Sequence, residues 1–477
     1  MKQLNHEYYL ILDSGTSSSK VFVVSRAGSI LFSERQKHAL ERPAPFCVES
    51  NAEHTFAACH SLLERAYAYV RSREGKIRRI GLTVQRSTFL FWHKKTCQPH
   101  TPALNWQDSR ARDLISRWES YRERIQHITG IPLSAHFGGP KYAYFTEEFP
   151  ELKQNDDLWF GPLSAYLCHR FTGQARVDES IAGRSLLFAI DSASWSQEMM
   201  DLFQVSPAHL PPLGNTVQPY GTIRLGKEEI PLSCIIGDQQ AALIGQGGDA
   251  SGQLAMNFGT SGSVQLNTGE QPAHISTLLA NVLSSNDRRI YLLEGTINAC
   301  NSLFYWLESE LDIPHHKMVW HERCAQTETE GVLIPGFVGL AAPYWQDGFS
   351  TQYFRLSGNA DEVVRAGMES IGFLVHDIYR EMGSVLSGEQ PVITASGGGA
   401  RLPLLQFIAN LLQQPVALSS LKDRTAMGVF RLLRHLDDGD FHGTGPAYDE
   451  MIYPSENEAY RRKKLAAWRL ALSGIGL

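Results

Sequence analysis

Residues 12–20 read LDSGTSSSK and bring together what a polyphosphate needs: a carboxylate at Asp13, a glycine at Gly15, hydroxyls at Thr16, Ser17, Ser18 and Ser19, and a cation at Lys20. Glycine lets backbone N–H groups come close to an anion, and hydroxyls add donors. Asp13 repels a bare phosphate at contact distance, so the stretch predicts phosphate together with magnesium. A second stretch, MNFGTSGS from Met256 to Ser263, sets Gly259, Thr260, Ser261 and Ser263 opposite Gly15, Thr16, Ser17 and Ser19, 244 positions on. The match predicts an internally duplicated chain with one phosphate turn in each half. Asn257 falls opposite Asp13, which puts the metal on the first side. For either stretch alone a merely structural turn is the plain alternative.

Asp238 is the third chemical candidate. It opens GDQQAALIGQG after the apolar run Ser233 to Ile236, at a strand end that feeds a helix. An Asp there is most often an N-cap. Lying between the halves, it is also placed to accept a proton from a hydroxyl, kept ionised by the helix N-terminus. A fourth group is Gln85, Arg86 and Ser87 at the end of the strand Ile80–Val84, followed by Trp106, Asp108 and Arg110. Strand C-terminal ends are where α/β sheets place ligands, and an indole face beside polar groups suits a sugar or polyol. Gly397, Gly398 and Gly399 follow the run VITAS and let a flat ring or a phosphate lie against backbone.

The elements that must hold these residues are read from the spacing of apolar positions. Runs at Tyr8–Leu12 and Val21–Val24 make the first stretch strand, turn, strand. Helical spacing covers Ala52–Val70, Ala111–Ile125 and Ala366–Met382, and Ser455 with Glu458 reads as a capping box before a final basic helix. The chain has 477 residues, 43% hydrophobic and 20% charged, enough for two or three soluble domains. A net charge of −6 excludes a basic nucleic-acid footprint. Seven scattered cysteines without a CxxC pair point to a reducing, cytoplasmic setting and away from a zinc site. Nothing approaches 18 consecutive apolar residues, so no membrane span is expected.

DSGTSSSK, IGLTVQRSTFLFW, NWQDSRA, IIGDQQAALIGQ, NFGTSGS, GFVGLAAPYW and GGGAR together resemble the FGGY carbohydrate kinases, with the nearest local match to the glycerol kinase branch. The resemblance implies an α/β fold of two ribonuclease H-like domains of the actin and hexokinase type, each a five-stranded sheet flanked by helices, with a cleft between them. It divides the chain into residues 1–245 with the acceptor site and first phosphate loop, 246–440 with the second phosphate loop and adenosine site, and 441–477 as a tail helix. It implies ATP and Mg2+, a small polyol or sugar acceptor, and self-association as a homodimer or homotetramer.

By position, the resemblance makes Asp238 the catalytic base and puts the metal between Asp13 and Asp238. Gly15, Thr16, Ser17, Ser18 and Lys20 become the first phosphate loop, Gly259 and Thr260 the second. Asn301, Gly398 and Gly399 fall on the adenosine side, and Arg86, Ser87, Trp106, His136, Asp238 and Gln239 around the acceptor. Glycerol kinases carry Glu at the Ser87 position, Tyr at the His136 position and Arg at the Lys20 position. They also carry Gly and Gln at the positions of Asn301 and Tyr305. The lost Glu and Tyr imply an acceptor larger than glycerol. The altered adenosine side keeps open a weakly catalytic sugar-binding regulator, and an actin-like ATPase is a third reading, opposed by Arg86 and Trp106.

Overall fold

The computed structural model describes residues 6–346, 348–386, 392–439 and 448–477. Two twisted mixed sheets organise it. The first uses β1 (Glu7–Ser14), β2 (Ser18–Ser25), β3 (Ile30–Lys37), β4 (Lys76–Val84), β5 (Val217–Leu225) and β6 (Glu228–Gly237), in the order β5-β6-β4-β1-β2-β3. β1, β2 and β3 form an antiparallel meander, and β4 and β6 extend it in parallel. The second uses β7 (Leu254–Phe258), β8 (Gly262–Gly269), β9 (Leu279–Ser285), β10 (Arg289–Ile297), β11 (Ile393–Ser396), β12 (Val416–Leu418) and β13 (Glu450–Ile452), in the order β9-β10-β8-β7-β11-β12-β13. Its core, β10-β8-β7-β11-β12, repeats the pattern of three antiparallel and two parallel strands. The sheets thus have six and seven strands where five were expected, because β5, β9 and β13 pair onto edges.

β1 shows how the sequence buries both faces of a sheet. Tyr8, Leu10 and Leu12 point into the core shared with Cys59, Leu62 and Leu63 of helix α1 (Ala52–Arg71). Tyr9 and Ile11, one residue out of step, point to the other face, against Leu243 and Ile244 of α2 (Asp238–Gly245). A strand covered on both sides must be apolar almost throughout, which is why its charged and small polar residues are held to its ends, Glu7 at the start and Asp13 and Ser14 at the finish. In the second half α3 (Asn301–Glu310) follows β10, and α4 (Ala360–Met382) and α5 (Leu402–Leu412) pack in one core with that sheet.

The helix α6 (Arg424–Asp438) comes late in the chain but packs on the first sheet, where Phe430 meets Tyr9 edge-on at 5.5 Å. It crosses α2 at backbone contact. A Cβ on Gly428 would lie 1.9 Å from the Ala241 carbonyl oxygen, and one on Gly245 would lie 2.0 Å from that of Arg424.

Two expected helices differ in detail. Residues 111–125 are a 3₁₀ run, Arg110–Tyr121, followed by a separate α-helix, Arg122–Thr129. The run buries only Ala111 and Trp118, so little packing selects the α spacing. The last helix, α7 (Glu458–Ser473), is capped by Asn457, whose side chain accepts from the Ala459 and Tyr460 N–H groups. Ser455 is drawn away because its own N–H donates to Asn410 Oδ1 at 2.8 Å. The expected boundary at 440/441 lies outside the described residues, as does most of the DDGDFHGTGP loop.

Candidate active site

The first turn closes with the Gly15 N–H donating to the Ser18 carbonyl at 3.1 Å, and the β1–β2 register sets Asp13 beside Lys20. Ser17 is exposed, Thr16 and Ser18 half-buried. Thr16 Oγ1 accepts the Trp106 indole N–H at 2.9 Å, so the turn is tied to the loop carrying that ring. Trp106 stays 42% exposed, with a face left for a ligand, and its carbonyl accepts from His136 Nδ1 at 3.0 Å. Burial lowers the pKa of that imidazole, which favours its neutral form.

Asp13 sits at the end of β1 and accepts from Thr425 Oγ1 at 2.8 Å. Burial pushes its carboxyl up to about 6, and the charge of Asp238 adds to this while Thr425 and Lys20 oppose it. Lys20 Nζ lies 3.6 Å from Asp423.

Asp238 is the first residue of α2, as expected. Its Oδ1 accepts the N–H of half-buried Gln239 at 2.8 Å and lies 3.8 Å from Arg86 Nε. Burial raises its pKa above the ordinary carboxylate value, while Arg86 and the Gln239 N–H oppose the rise.

Arg86 is not a free ligand hook. Glu294 on β10, from the other half of the chain, accepts both of its terminal nitrogens, at 2.9 and 3.1 Å. Arg184 lies 2.9 Å from the same carboxylate, and Gln265 Nε2 donates to it at 3.1 Å. Against the pull of burial, Arg184 and Arg86 hold this carboxyl well below the usual range. Ser87 is buried with a left-handed backbone, φ +61°. Its carbonyl accepts from Lys141 Nζ at 2.8 Å, and the same ammonium donates to the Asn105 carbonyl at 2.7 Å and reaches that of Leu104 at 3.4 Å. Lys141 therefore staples the Arg86 loop to the Trp106 loop. Burial pushes its pKa down to about 7.

The second turn is built from backbone. Gly259 N–H donates to Ser261 O at 2.9 Å, and the N–H groups of Cys300, Asn301 and Ser302 donate to the carbonyls of Thr260, Gly259 and Thr260. This seats the turn on the start of α3. Asn257 pairs with Ser263 in the β7–β8 register; three residues lie between the last paired positions, Phe258 and Gly262, where four lie between Ser14 and Ser19 of β1 and β2. The Gly399 N–H donates to Phe258 O at 2.8 Å. Gly397 has φ +99°, and a Cβ there would meet Phe258 O at 2.4 Å, so only glycine fits. A Cβ on Gly398 or Gly399 would lie 3.6 or 3.0 Å from the Asn301 amide. Gly259, Thr260, Asn301, Gly398 and Gly399 are therefore one patch.

Sequence reasoning missed Glu294, Arg184, Lys141 and the segment Asp423–Thr425. Glu294 had one visible signal, a lone carboxylate inside the apolar run YLLEGT. Among the described residues no three His, Cys, Asp or Glu side chains gather as a metal cage. Asp13 and Asp238, two half-buried carboxylates close enough to act on each other's charge, could supply part of the oxygen set that a divalent cation takes. No described helix is long and apolar enough to cross a membrane.

The family model "FGGY family of carbohydrate kinases, N-terminal domain" matches residues 8–245, and its C-terminal counterpart matches 254–433. Glycerol kinase 1 of Thermotoga maritima is 30% identical over 489 residues, covering 98% of this chain and 99% of its own. Glycerol kinase of Thermococcus kodakarensis is 30% identical, covering 88% and 87%. Among solved structures, Plasmodium falciparum glycerol kinase with ADP superposes with a TM-score of 0.92 at 24% identity, covering 98% of both chains. A gluconate kinase from Lactobacillus acidophilus reaches 0.88 at 19% identity, covering 98% and 97%. At these identities the structural likeness speaks for the fold.

Proposed function

This chain belongs to the FGGY family of carbohydrate kinases, ATP-dependent enzymes that phosphorylate hydroxyl groups, and from that premise we propose that its acceptor is a polyol or sugar longer than glycerol. The observation that carries the reading is the placement of Asp238. It is a partly exposed acid at a helix start, within range of the charge of Asp13 and 3.8 Å from an Arg86 that is itself immobilised. In this reading Asp238 takes the proton of the acceptor hydroxyl as that oxygen attacks the γ-phosphorus and the bond to ADP breaks. Its raised pKa makes it a better base than an ordinary Asp, with activity lost on the acid side.

Gly15, Thr16, Ser17, Ser18 and Lys20 with Gly259 and Thr260 hold the phosphates, and Asn301, Gly398 and Gly399 hold the adenosine. Asp13 and Asp238 would hold Mg2+, which would neutralise phosphate charge there. Arg86, Trp106, His136 and Gln239 orient the acceptor. Ser87 supports the larger substrate, since its short uncharged side chain leaves room and no carboxylate there matches a glycerol hydroxyl. The domain division at 245 and a homodimer or homotetramer belong to the same proposal. Seven unpaired thiols support a cytoplasmic setting.

The test is ADP release against alcohols of three to seven carbons, with Asp238→Asn as control. A pentitol, pentulose or hexulose should give the highest kcat/KM. Glycerol outperforming every longer acceptor overturns the substrate proposal and leaves a glycerol kinase. No ADP release with any acceptor, in a protein that still binds nucleotide, favours the regulator.

A further inference from the structure

Three consecutive residues at the entry to α6 reach into both turns. Asp423 pairs with Lys20 and Thr425 donates to Asp13, both on the first turn. Arg424 turns the other way: its Nη2 donates to Asn257 Oδ1 at 3.1 Å, on the second. Asp13 and Asn257 occupy equivalent places in the repeat, so the Arg424 guanidinium lies where the two turns face the same helix end.

Its other terminal nitrogen, Nη1, is buried and has no hydrogen-bond partner. Among the described residues no carboxylate pairs with it. Carboxylates hold other arginines: Arg86 and Arg184 share Glu294, although Arg184 Nε is likewise without a hydrogen-bond partner, and Arg365 is held by Glu369. A buried cation with an unsatisfied N–H is costly unless an anion completes it, and a planar fork suits two phosphate oxygens. The cation of the first turn, Lys20, is already shared with Asp423.

We propose that Arg424 is a phosphate ligand, its free Nη1 donating to a non-bridging oxygen of the nucleotide's phosphate chain while Asn257 holds the fork in place. The inference rests on the kinase reading but goes beyond it, because neither turn contains this residue.

The test is calorimetric titration of the full chain with ADP, adenosine and inorganic tripolyphosphate, for wild type, Arg424→Gln and Arg424→Lys. Thermal unfolding of each variant checks that it folds. Arg424→Gln should weaken ADP and tripolyphosphate about 10- to 100-fold, the range of a charge-assisted hydrogen bond, and leave adenosine within about twofold. Arg424→Lys, which keeps charge without the fork, should fall between. Unchanged ADP affinity in Arg424→Gln, or equal losses for ADP and adenosine, overturns the proposal while the kinase reading stands. A wild type that binds neither ADP nor tripolyphosphate overturns both.

Discussion

The two turns share a glycine-threonine core yet are held by different forces. The first is charged and tied by side chains, with Asp13 to Thr425, Lys20 to Asp423 and Thr16 to Trp106. The second has no charged residue of its own and is held mainly by backbone, its carbonyls accepting N–H groups from the start of α3 and its strand packed under three glycines, with Arg424 tied to the Asn257 side chain. Duplicated scaffolds can therefore divide labour: one copy concentrates the charge that chemistry needs, and the other offers close backbone approach. Side chains that carry charge need partners from elsewhere in the fold, so the first turn depends on residues more than 400 positions away.

The strongest way to break the contrast is to remove the acid of the charged side. Asp238→Asn should lower kcat by about 10² to 10⁴ with the fold intact, measured by steady-state ADP release. Next is the acid that pins Arg86 from the opposite half. Glu294→Gln removes the carboxylate that Arg86 and Arg184 share, leaving Arg86 only its 3.8 Å approach to Asp238, and should cost about 3–5 kcal/mol in urea unfolding, with a raised acceptor KM as Arg86 loosens.

Asp13→Asn makes the first turn copy the second. The wild-type carboxyl rises from its ordinary 3.8 to about 6 on folding, so between those values the folded state holds a proton that the unfolded chain has released. Stability attributable to this group therefore falls by on the order of 2 kcal/mol as pH rises from about 4 to 6, and stays lower above that. Asp13→Asn should flatten that slope in urea midpoints across the range, and should raise the Mg2+ concentration for half-maximal rate. The smallest effect sharpens the same comparison. Thr425→Val removes the hydroxyl that lowers the Asp13 pKa, so the transition should move to higher pH at a stability cost of about 1 kcal/mol.

Much of the architecture was legible in local pattern. The apolar Tyr8–Leu12, the Gly-Thr turns 244 positions apart and the helix opening at Asp238 each depend on neighbours a few residues away, and each took its expected form. Legibility failed where a side chain's partner lies far along the chain. Nothing near Arg86 in the chain tells that Glu294, 208 positions on, accepts from both of its terminal nitrogens. Ser455 looked like a cap until Asn410 took its N–H, and the burial that raises the Asp238 pKa is set by the fold around it.

By itself, then, the sequence determined the repeat, the turn chemistry and the family, because periodicity, glycine placement and residue order are local properties of a chain. Only the tertiary structure decided which charges are spent on one another and which are left over, since burial and long-range pairing set the electrostatics of every group in the cleft. Arg424 shows the difference: in sequence it is one arginine among many, and in the folded chain its half-buried guanidinium stands between both turns with one buried nitrogen unclaimed.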